Sequence, residues 1–335
     1  MKPVLVTGGS GFVGAHLVRQ LLQRGDAVRC LVRPTSARAT LDGLDVELAE
    51  GDLRNAGSLR EAVRGCGRVF HCAADYRLYA RDPNELYASN VGGTQNVLEA
   101  ALREGVERVV YTSTVGALGI VPGGVADETT PVTEAEMIGH YKRSKYLAER
   151  EAEKYAERGL PVVIVNPSTP VGELDVKPTP TGQIIVDYLS GRLPAYVATG
   201  LNLIDVRDVA RGHLLADELG RPGRRYILGH RNLTLREMLD LLSRLTGRPP
   251  VRLRLPHWIP LSVGAVSTAW ARRTGGEPRV SVESVRMSTK TMFFDATRAR
   301  DELGLSPGPV EEALRRAIDW FCEHHASLRG SGRAG

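Results

Sequence analysis

The sequence predicts an α/β protein built on a doubly wound parallel sheet, with a smaller, interleaved C-terminal lobe for the substrate. Three observations lead there. Short apolar runs alternate with helical patterns through the first half of the chain, as the strands and covering helices of a parallel sheet require. A glycine-rich turn, Thr7-Gly8-Gly9-Ser10-Gly11-Phe12-Val13-Gly14, joins the first run to the first helical pattern. Beyond Asn166 the alternation breaks up around Pro167, Pro170, Pro178, Pro180 and Pro194, which suits a lobe that wraps a ligand.

Val4-Leu5-Val6 reads as the first strand. Val13 to Arg24 reads as a helix with Val13, Leu17, Leu21 and Leu22 on one stripe. Strands follow at Val28 to Val32 and Val46 to Leu48, then a short helix at Ser58 to Val63 and a strand at Val69-Phe70-His71-Cys72. After a loop, Val91 to Arg103 is helical in pattern, with Val91, Thr94, Val97, Leu98, Ala101 and Leu102 recurring at three and four. Val109-Val110-Tyr111 is the next strand, Tyr141 to Arg158 a long helix, and Val162 to Val165 another strand.

Leu203 to Leu215 reads as a strand and helix returning to the main sheet. Thr234 to Leu245 is a helix opened by a capping box of Thr234 and Glu237, and Glu311 to Cys322 is the last helix. Leu255 to Trp270 reads as a buried helix of the second lobe, since it lacks the charged face of an interfacial helix; cover for a lipid-like substrate or contact with a membrane is the other reading. The expected division is a nucleotide lobe over 1–166, rejoined by 201–229, and a substrate lobe over 167–200 and 230–326. Residues 327–335 form a disordered tail.

The composition is ordinary for a globular chain of 335 residues, 42% hydrophobic and 25% charged. A net charge of +5, from 44 basic and 39 acidic residues scattered along the chain, offers no dense basic face for nucleic acid; a phosphate-bearing ligand fits as well. Cys30, Cys66, Cys72 and Cys322 form no CxxC pair and no metal spacing, so no metal is expected, and their apolar neighbours suggest buried thiols in a reducing compartment. No signal peptide and no run of roughly 18 apolar residues is present, so no transmembrane segment and a cytoplasmic location are expected.

In the glycine-rich turn, Gly8, Gly11 and Gly14 fit one three-residue spacing, and Gly9, Gly11 and Gly14 fit G-x-G-x-x-G. Either pattern lets the backbone approach a pyrophosphate, and the following helix supplies free N–H groups and partial positive charge. The second strand ends in Leu31-Val32-Arg33, with Arg38 shortly after, where an NAD enzyme would usually carry an acidic residue. Arginine there can pair with a 2′-phosphate, which favours NADP with NAD as the alternative. Asp52, after the third strand, is a candidate for the adenine amino group.

Tyr141-Lys142-Arg143-Ser144-Lys145 places a phenol and an ammonium, Tyr141 and Lys145, one helical turn apart on one face. An ammonium and a cationic nicotinamide favour phenolate, which otherwise forms only near pH 10. Thr112-Ser113-Thr114 ends a parallel strand at the crevice where such sheets bind ligands. Thr114 is the candidate to hold a substrate oxygen, and Ser113 would lie closer to the cofactor. Tyr76 and Arg77, after the fourth strand, and Ser168 are candidate substrate contacts.

Taken together, residues 2 to about 325 resemble the extended short-chain dehydrogenase/reductase superfamily, the NAD-dependent epimerase/dehydratase family. The resemblance rests on the glycine turn, Asp52-Leu53, His71-Cys72-Ala73-Ala74, Asn90-Val91-Gly92-Gly93-Thr94, Thr112-Ser113-Thr114, and Tyr141 with Lys145. Within it, Ala73-Ala74-Asp75-Tyr76-Arg77-Leu78, Gly139-His140 running into Tyr141, and Asn166-Pro167-Ser168-Thr169-Pro170-Val171-Gly172 look most like the hopanoid-associated sugar epimerases. Dihydroflavonol-4-reductase-type carbonyl reductases are neighbours.

The resemblance implies a Rossmann nucleotide lobe with Thr114, Tyr141 and Lys145 as catalytic residues. It implies backbone cofactor contacts from Phe12, Val13, Ala73 and Pro167, and adds Leu53, Ala74 and Asn90 from the quoted motifs. A homodimer through the helices near 91–103 and 142–158 is also implied. One segment departs: nucleotide-sugar members carry Arg-Asp-Phe entering a late strand, where this chain has Asn202-Leu203-Ile204-Asp205-Val206-Arg207-Asp208-Val209. The expected activity is hydride transfer at a secondary alcohol or ketone. A sugar epimerase or dehydratase that recycles its cofactor is the alternative; a cofactor-sensing regulator is the third reading, although it would be marked by loss of Tyr141 or Lys145.

Overall fold

The computed structural model describes residues 2–77, 79–274, 276, 282–325 and 328. Leu78 of the quoted motif and residues 327 and 329–335 of the expected tail lie outside them. Leu328 is described and is buried in the second lobe's core.

The first lobe is a seven-stranded sheet, all parallel, in the order β3-β2-β1-β4-β5-β6-β10. Its strands are β1 (Val4–Thr7), β2 (Val28–Val32), β3 (Val46–Glu50), β4 (Arg68–His71), β5 (Arg108–Thr112), β6 (Val162–Pro167) and β10 (Arg225–Leu228). Alternate side chains of β1 serve different cores. Val4 and Val6 pack with Leu17, Val18 and Leu21 of α1 (Phe12–Gln23), whereas Leu5 packs with Leu59 of α2 (Ala56–Val63) and Leu98 of α4 (Gly93–Arg103). Both faces of the sheet's centre are therefore covered, and β1 and the middle of β5 and β6 read as continuous apolar runs, while the edge strand β3 carries Glu47 and Glu50. The strand order reverses where β1 pairs with both β2 and β4, and ligands of such sheets bind beyond the strand ends at that reversal.

Ahead of α4 the helix starts earlier than the apolar period suggests. Asn84–Tyr87 (α3) runs through a π-turn at Ala88–Gly92 into α4, so Asn90 sits on a widened turn. The long helix α5 spans Gly139–Glu157.

The second lobe holds β7 (Thr169–Val171), α6 (Pro180–Leu189), β8 (Ala195–Val197), β9 (Gly200–Asp205), β11 (Arg231–Thr234), α8 (Leu235–Thr246), β12 (Leu253–Leu255), α9 (Trp258–Thr274), α10 (Val282–Ser288), β13 (Thr291–Met292) and α12 (Val310–His324). Between them, α7 (Val206–Leu219) and α11 (Thr297–Leu303) pack on the large sheet. The capping box at Thr234 is formed: Glu237 N donates to the Thr234 hydroxyl, and the Glu237 carboxylate accepts from Thr234 N. Such a cap is worth about 1 kcal/mol.

Three expectations change. The strand at 200–205 does not return to the main sheet but pairs with β7, β11 and β13 in a separate sheet. The edge beside β6 is taken by β10 instead, so from that segment only α7 and β10 join the main sheet. The helix α9 is not buried. It packs inward through Gly264, Thr268 and Ala271, and its large residues face out, with Trp258 66% and Trp270 68% exposed. Of the cysteines expected to be buried, Cys322 lies on an exposed face of α12. Among the described residues no helix is long and apolar enough to cross a membrane.

Candidate active site

At the end of β1 the chain must turn tightly, and two glycines make the turn possible. Gly8 has a positive φ of 72°, and a Cβ there would fall 2.7 Å from the Ala73 backbone nitrogen. A Cβ on Gly14 would fall 2.1 Å from the Gly8 carbonyl oxygen. The turn then feeds α1, whose N-cap Gly11 offers no capping side chain and whose first turn carries no acid. Its leading N–H groups are thus open to an anion. These features fit a dinucleotide pyrophosphate, with Gly8, Gly11, Phe12, Val13 and Gly14 along the wall of a cleft of about 590 Å³.

The far side of this crevice is held by buried polar pairs. The Ala73 N–H donates to the Thr7 hydroxyl at 3.2 Å, and Thr7 lies 2.7 Å from His71 Nδ1. Burial, with the Lys145 charge adding to it, pushes the His71 pKa down to about 3, so the imidazole is neutral. Thr94 gives its own hydroxyl proton to the Asn90 carbonyl at 2.6 Å, so its oxygen accepts from His71 Nε2–H at 3.1 Å and Nδ1 accepts from Thr7. Ala73 and Ala74 are fixed on the cleft wall in this way.

The candidate catalytic side chains come from β5 and α5. Thr114 follows β5, and its hydroxyl oxygen accepts from Gly116 N at 3.0 Å, which leaves the hydroxyl proton for the cleft. Lys145 is 3% exposed and donates from Nζ to the Tyr111 hydroxyl at 3.0 Å and the Thr112 carbonyl at 2.8 Å. Burial pulls its pKa down to about 8, against the opposing pull of Glu149 and Cys72. Tyr141 is half-buried on the cleft, and burial followed by the Asp75 charge pushes its phenol up to about 12. Among the described residues the phenol has no hydrogen-bond partner. Ser113, Pro167, Ser168, Tyr76 and Arg33 line the same cleft. The Ser113 and Ser168 hydroxyls are buried without a partner.

Other expected contacts lie off the cleft. Arg38 is paired with Glu50 at 3.0 Å, whereas Arg33 lines the cleft. Asp52 accepts from both the backbone and the guanidinium of Arg54, which hold its carboxyl down to about 2. Leu53 packs against Gly93. Arg77 is spent on Asp75 at 2.6 Å and Glu85 at 2.8 Å. Asn90 accepts from Asp75 N and donates to Asp75 O and to Ser144 Oγ. It ties the loop after β4 to α5 and shapes the site from behind.

A model of the NAD dependent epimerase/dehydratase family matches residues 4–229. The chain belongs to this family. A protein of Synechocystis sp., provisionally named a dihydroflavonol 4-reductase, is 48% identical over 324 residues, 95% of this chain and 94% of its own. Sterol demethylase protein B of Methylococcus capsulatus is 39% identical over 321 residues, 95% and 98% of the two chains. Among solved structures, gox2253 superposes with a TM-score of 0.87 at 48% identity over 97% of this chain and 99% of that one. The dTDP-glucose 4,6-dehydratase DesIV of Streptomyces venezuelae, solved with NAD bound, superposes with a TM-score of 0.77 at 26% identity, covering 99% of each chain. The chain is thus an NAD(P)-dependent oxidoreductase or epimerase of this family.

Several residues of this epimerase/dehydratase-family site escaped sequence reasoning. Tyr111 anchors Lys145, and its only signal was its place two residues before Ser113. Glu149, fully buried one turn beyond Lys145, pairs with Arg225 at 3.0 Å and accepts from Asn166 Nδ2 at 2.8 Å. Asn166 Nδ2 also donates to the Thr114 carbonyl at 3.2 Å, joining α5 to the end of β5. The i, i+4 spacing of Lys145 and Glu149 could have flagged the carboxylate. Arg207, in the first turn of α7, does not line the cleft and pairs with Glu173 at 2.7 Å.

Proposed function

We propose that this chain is a reductase and dehydrogenase acting at a secondary alcohol or ketone, with a preference for NADP. The observation that carries the reading is the convergence of Tyr141, Lys145 and Thr114 on the cleft that the glycine turn opens. Bound NAD(P) supplies the hydride donor or acceptor. Thr114 offers its free hydroxyl proton to the substrate oxygen, and Tyr141 gives a proton to that oxygen on reduction or removes one on oxidation. Lys145, immobilised on Tyr111 and Thr112, holds an ammonium one turn from the phenol and favours phenolate as charge develops. With its pKa at about 12 before cofactor binds, Tyr141 is protonated at neutral pH, the form that reduction needs.

The NADP preference rests on Arg33, which lines the cleft and makes no ion pair among the described residues, and on the absence of an acid at the end of β2. Steady oxidation of NADPH by a panel of ketones is the expected result. Cofactor that stays bound through purification, with no net absorbance change on adding a substrate that is nonetheless isomerised, would replace this reading with the epimerase. Assembly as a homodimer through α4 and α5 belongs to the same proposal, and sedimentation velocity tests it.

A further inference from the structure

The cleft contains a charge for which the reaction above has no use. Lys142 follows Tyr141 on α5 and is 6% exposed, yet among the described residues its Nζ meets only the Met292 thioether, at 3.7 Å. Sulfur is a weak acceptor, and buried charges are ordinarily paired. Other buried charged groups on this chain are paired or strongly hydrogen-bonded: Glu149 is matched by Arg225, Asp217 by Arg68, and Lys145 donates to Tyr111 and Thr112. Among the described residues no charged group acts on Lys142, and burial depresses it to about 8. Its side chain lies beside Gly116, two residues on from Thr114, where a Cβ would come 3.5 Å from Cε. Lys142, Gly116 and Thr114 line the same cleft, so the lysine stands close to the hydroxyl that would hold the substrate oxygen.

A second unsatisfied group shares the cleft. The Ser168 hydroxyl, between β6 and β7, is buried without a partner. The walls around these groups are apolar, with Leu201, Met287 and Met292 contributing. Asp175, buried on the same cleft and accepting from Thr179 N and Oγ1, adds negative character that a multiply charged anion would have to overcome.

We infer that Lys142 and Ser168 form a carboxylate-recognition subsite, so that the substrate is an amphipathic monoanion: an apolar body with a carboxylate near the hydroxyl or ketone. This rests on the reductase reading for the reacting carbon. One buried ammonium balances one negative charge, and the Asp175 carboxyl on the same cleft opposes a second. A neutral ligand leaves the ammonium buried and unpaired, so the subsite selects by penalty as well as by attraction.

The test is binding to the NADP⁺-loaded protein, measured by calorimetry with three probes: cyclohexanecarboxylate, cyclohexanecarboxamide and cyclohexyl phosphate. The expected result is carboxylate bound about ten- to a hundredfold more tightly than carboxamide, the range for a charge-assisted hydrogen bond in a desolvated site. In K142M that preference should vanish while carboxamide affinity holds. Equal binding of acid and amide by the wild-type protein overturns the subsite without any variant, and so does a preference that survives K142M. Tighter binding of the phosphate overturns the monoanion assignment. Because the readout is binding, a protein that selects the carboxylate but reduces no ketone sinks the reductase reading alone; an active reductase indifferent to the carboxylate sinks the subsite alone.

Discussion

Lys145 and Lys142 sit three residues apart on one helix, and burial pulls both to about 8, yet their surroundings are opposite. Lys145 is held on the cofactor side by Tyr111 and Thr112, with Glu149 behind it. Lys142 lies toward the second lobe with a methionine sulfur for company. The first lysine is a finished part, its geometry fixed before any ligand arrives. The second is half of an interaction. The contrast extends to the two sides of the cleft: backbone amides and a tight glycine turn on one, an apolar wall with unsatisfied groups on the other. Shared cofactor chemistry demands the first, and a particular substrate demands the second.

The largest effect expected on the finished side is that of Tyr141→Phe. Losing the proton carrier should lower kcat by about 10²–10⁴-fold, with NADPH affinity, read by fluorescence titration, changed by less than about twofold because the phenol has no protein partner to lose. Near-normal turnover would remove Tyr141 from the mechanism. Lys145→Met should cost about 10²-fold in kcat and move the alkaline limb of the alcohol-oxidation profile upward, since the phenol loses the cation that favours its ionised form. Oxidation needs phenolate, so its rate in the wild-type protein should climb with pH while ketone reduction stays flat between pH 6 and 8. A downward shift in the variant would contradict the role given to the ammonium.

At the adenosine end, Arg33→Asp should weaken NADPH by about ten- to a hundredfold and leave NADH nearly unchanged, as loss of a charge-assisted pair to a 2′-phosphate requires. An equal loss for both cofactors would mean that Arg33 does not read the phosphate. Arg38→Ala, by contrast, should have little effect on either, because that side chain is already engaged by Glu50.

The same division decides what could be read from the sequence. The strands β1 to β6 announce themselves as apolar runs closed by glycine or polar turns, and the turn at Gly8–Gly14 can be recognised because its backbone leaves room for no side chain. The Tyr141–Lys145 pair is legible because helical geometry alone puts both on one face. β10 is not legible: Arg225-Tyr226-Ile227-Leu228 is too short for a period, and its capture by β6 is a matter of which edge is open. The helix α9 misleads because its small residues face inward and its tryptophans outward, an inversion that an apolar stretch cannot disclose. Lys142 stands in plain view beside Tyr141, but only the packing of β13 against it shows a charge without a partner.

The smallest effect is also the most discriminating between the two lysines. A lysine whose folded pKa is depressed from 10.5 to about 8 binds its proton less readily in the folded state than in the unfolded chain. Its stabilising contribution is therefore present above pH 10.5 and lost as pH falls toward 8; below that, the protonated side chain costs the fold up to about 3 kcal/mol. Lys142→Met removes this cost, and after relaxation of the site a gain of about 1–2 kcal/mol at pH 7 is expected. The gain should shrink between pH 8 and 10.5 in chemical denaturation. Lys145→Met removes a comparable cost but leaves the Tyr111 hydroxyl and the Thr112 carbonyl without their donor, so it should gain less or lose stability outright. Should Lys142→Met destabilise the protein, or stabilise it equally at pH 7 and pH 10, the ammonium is already satisfied in the fold and is not waiting for a ligand.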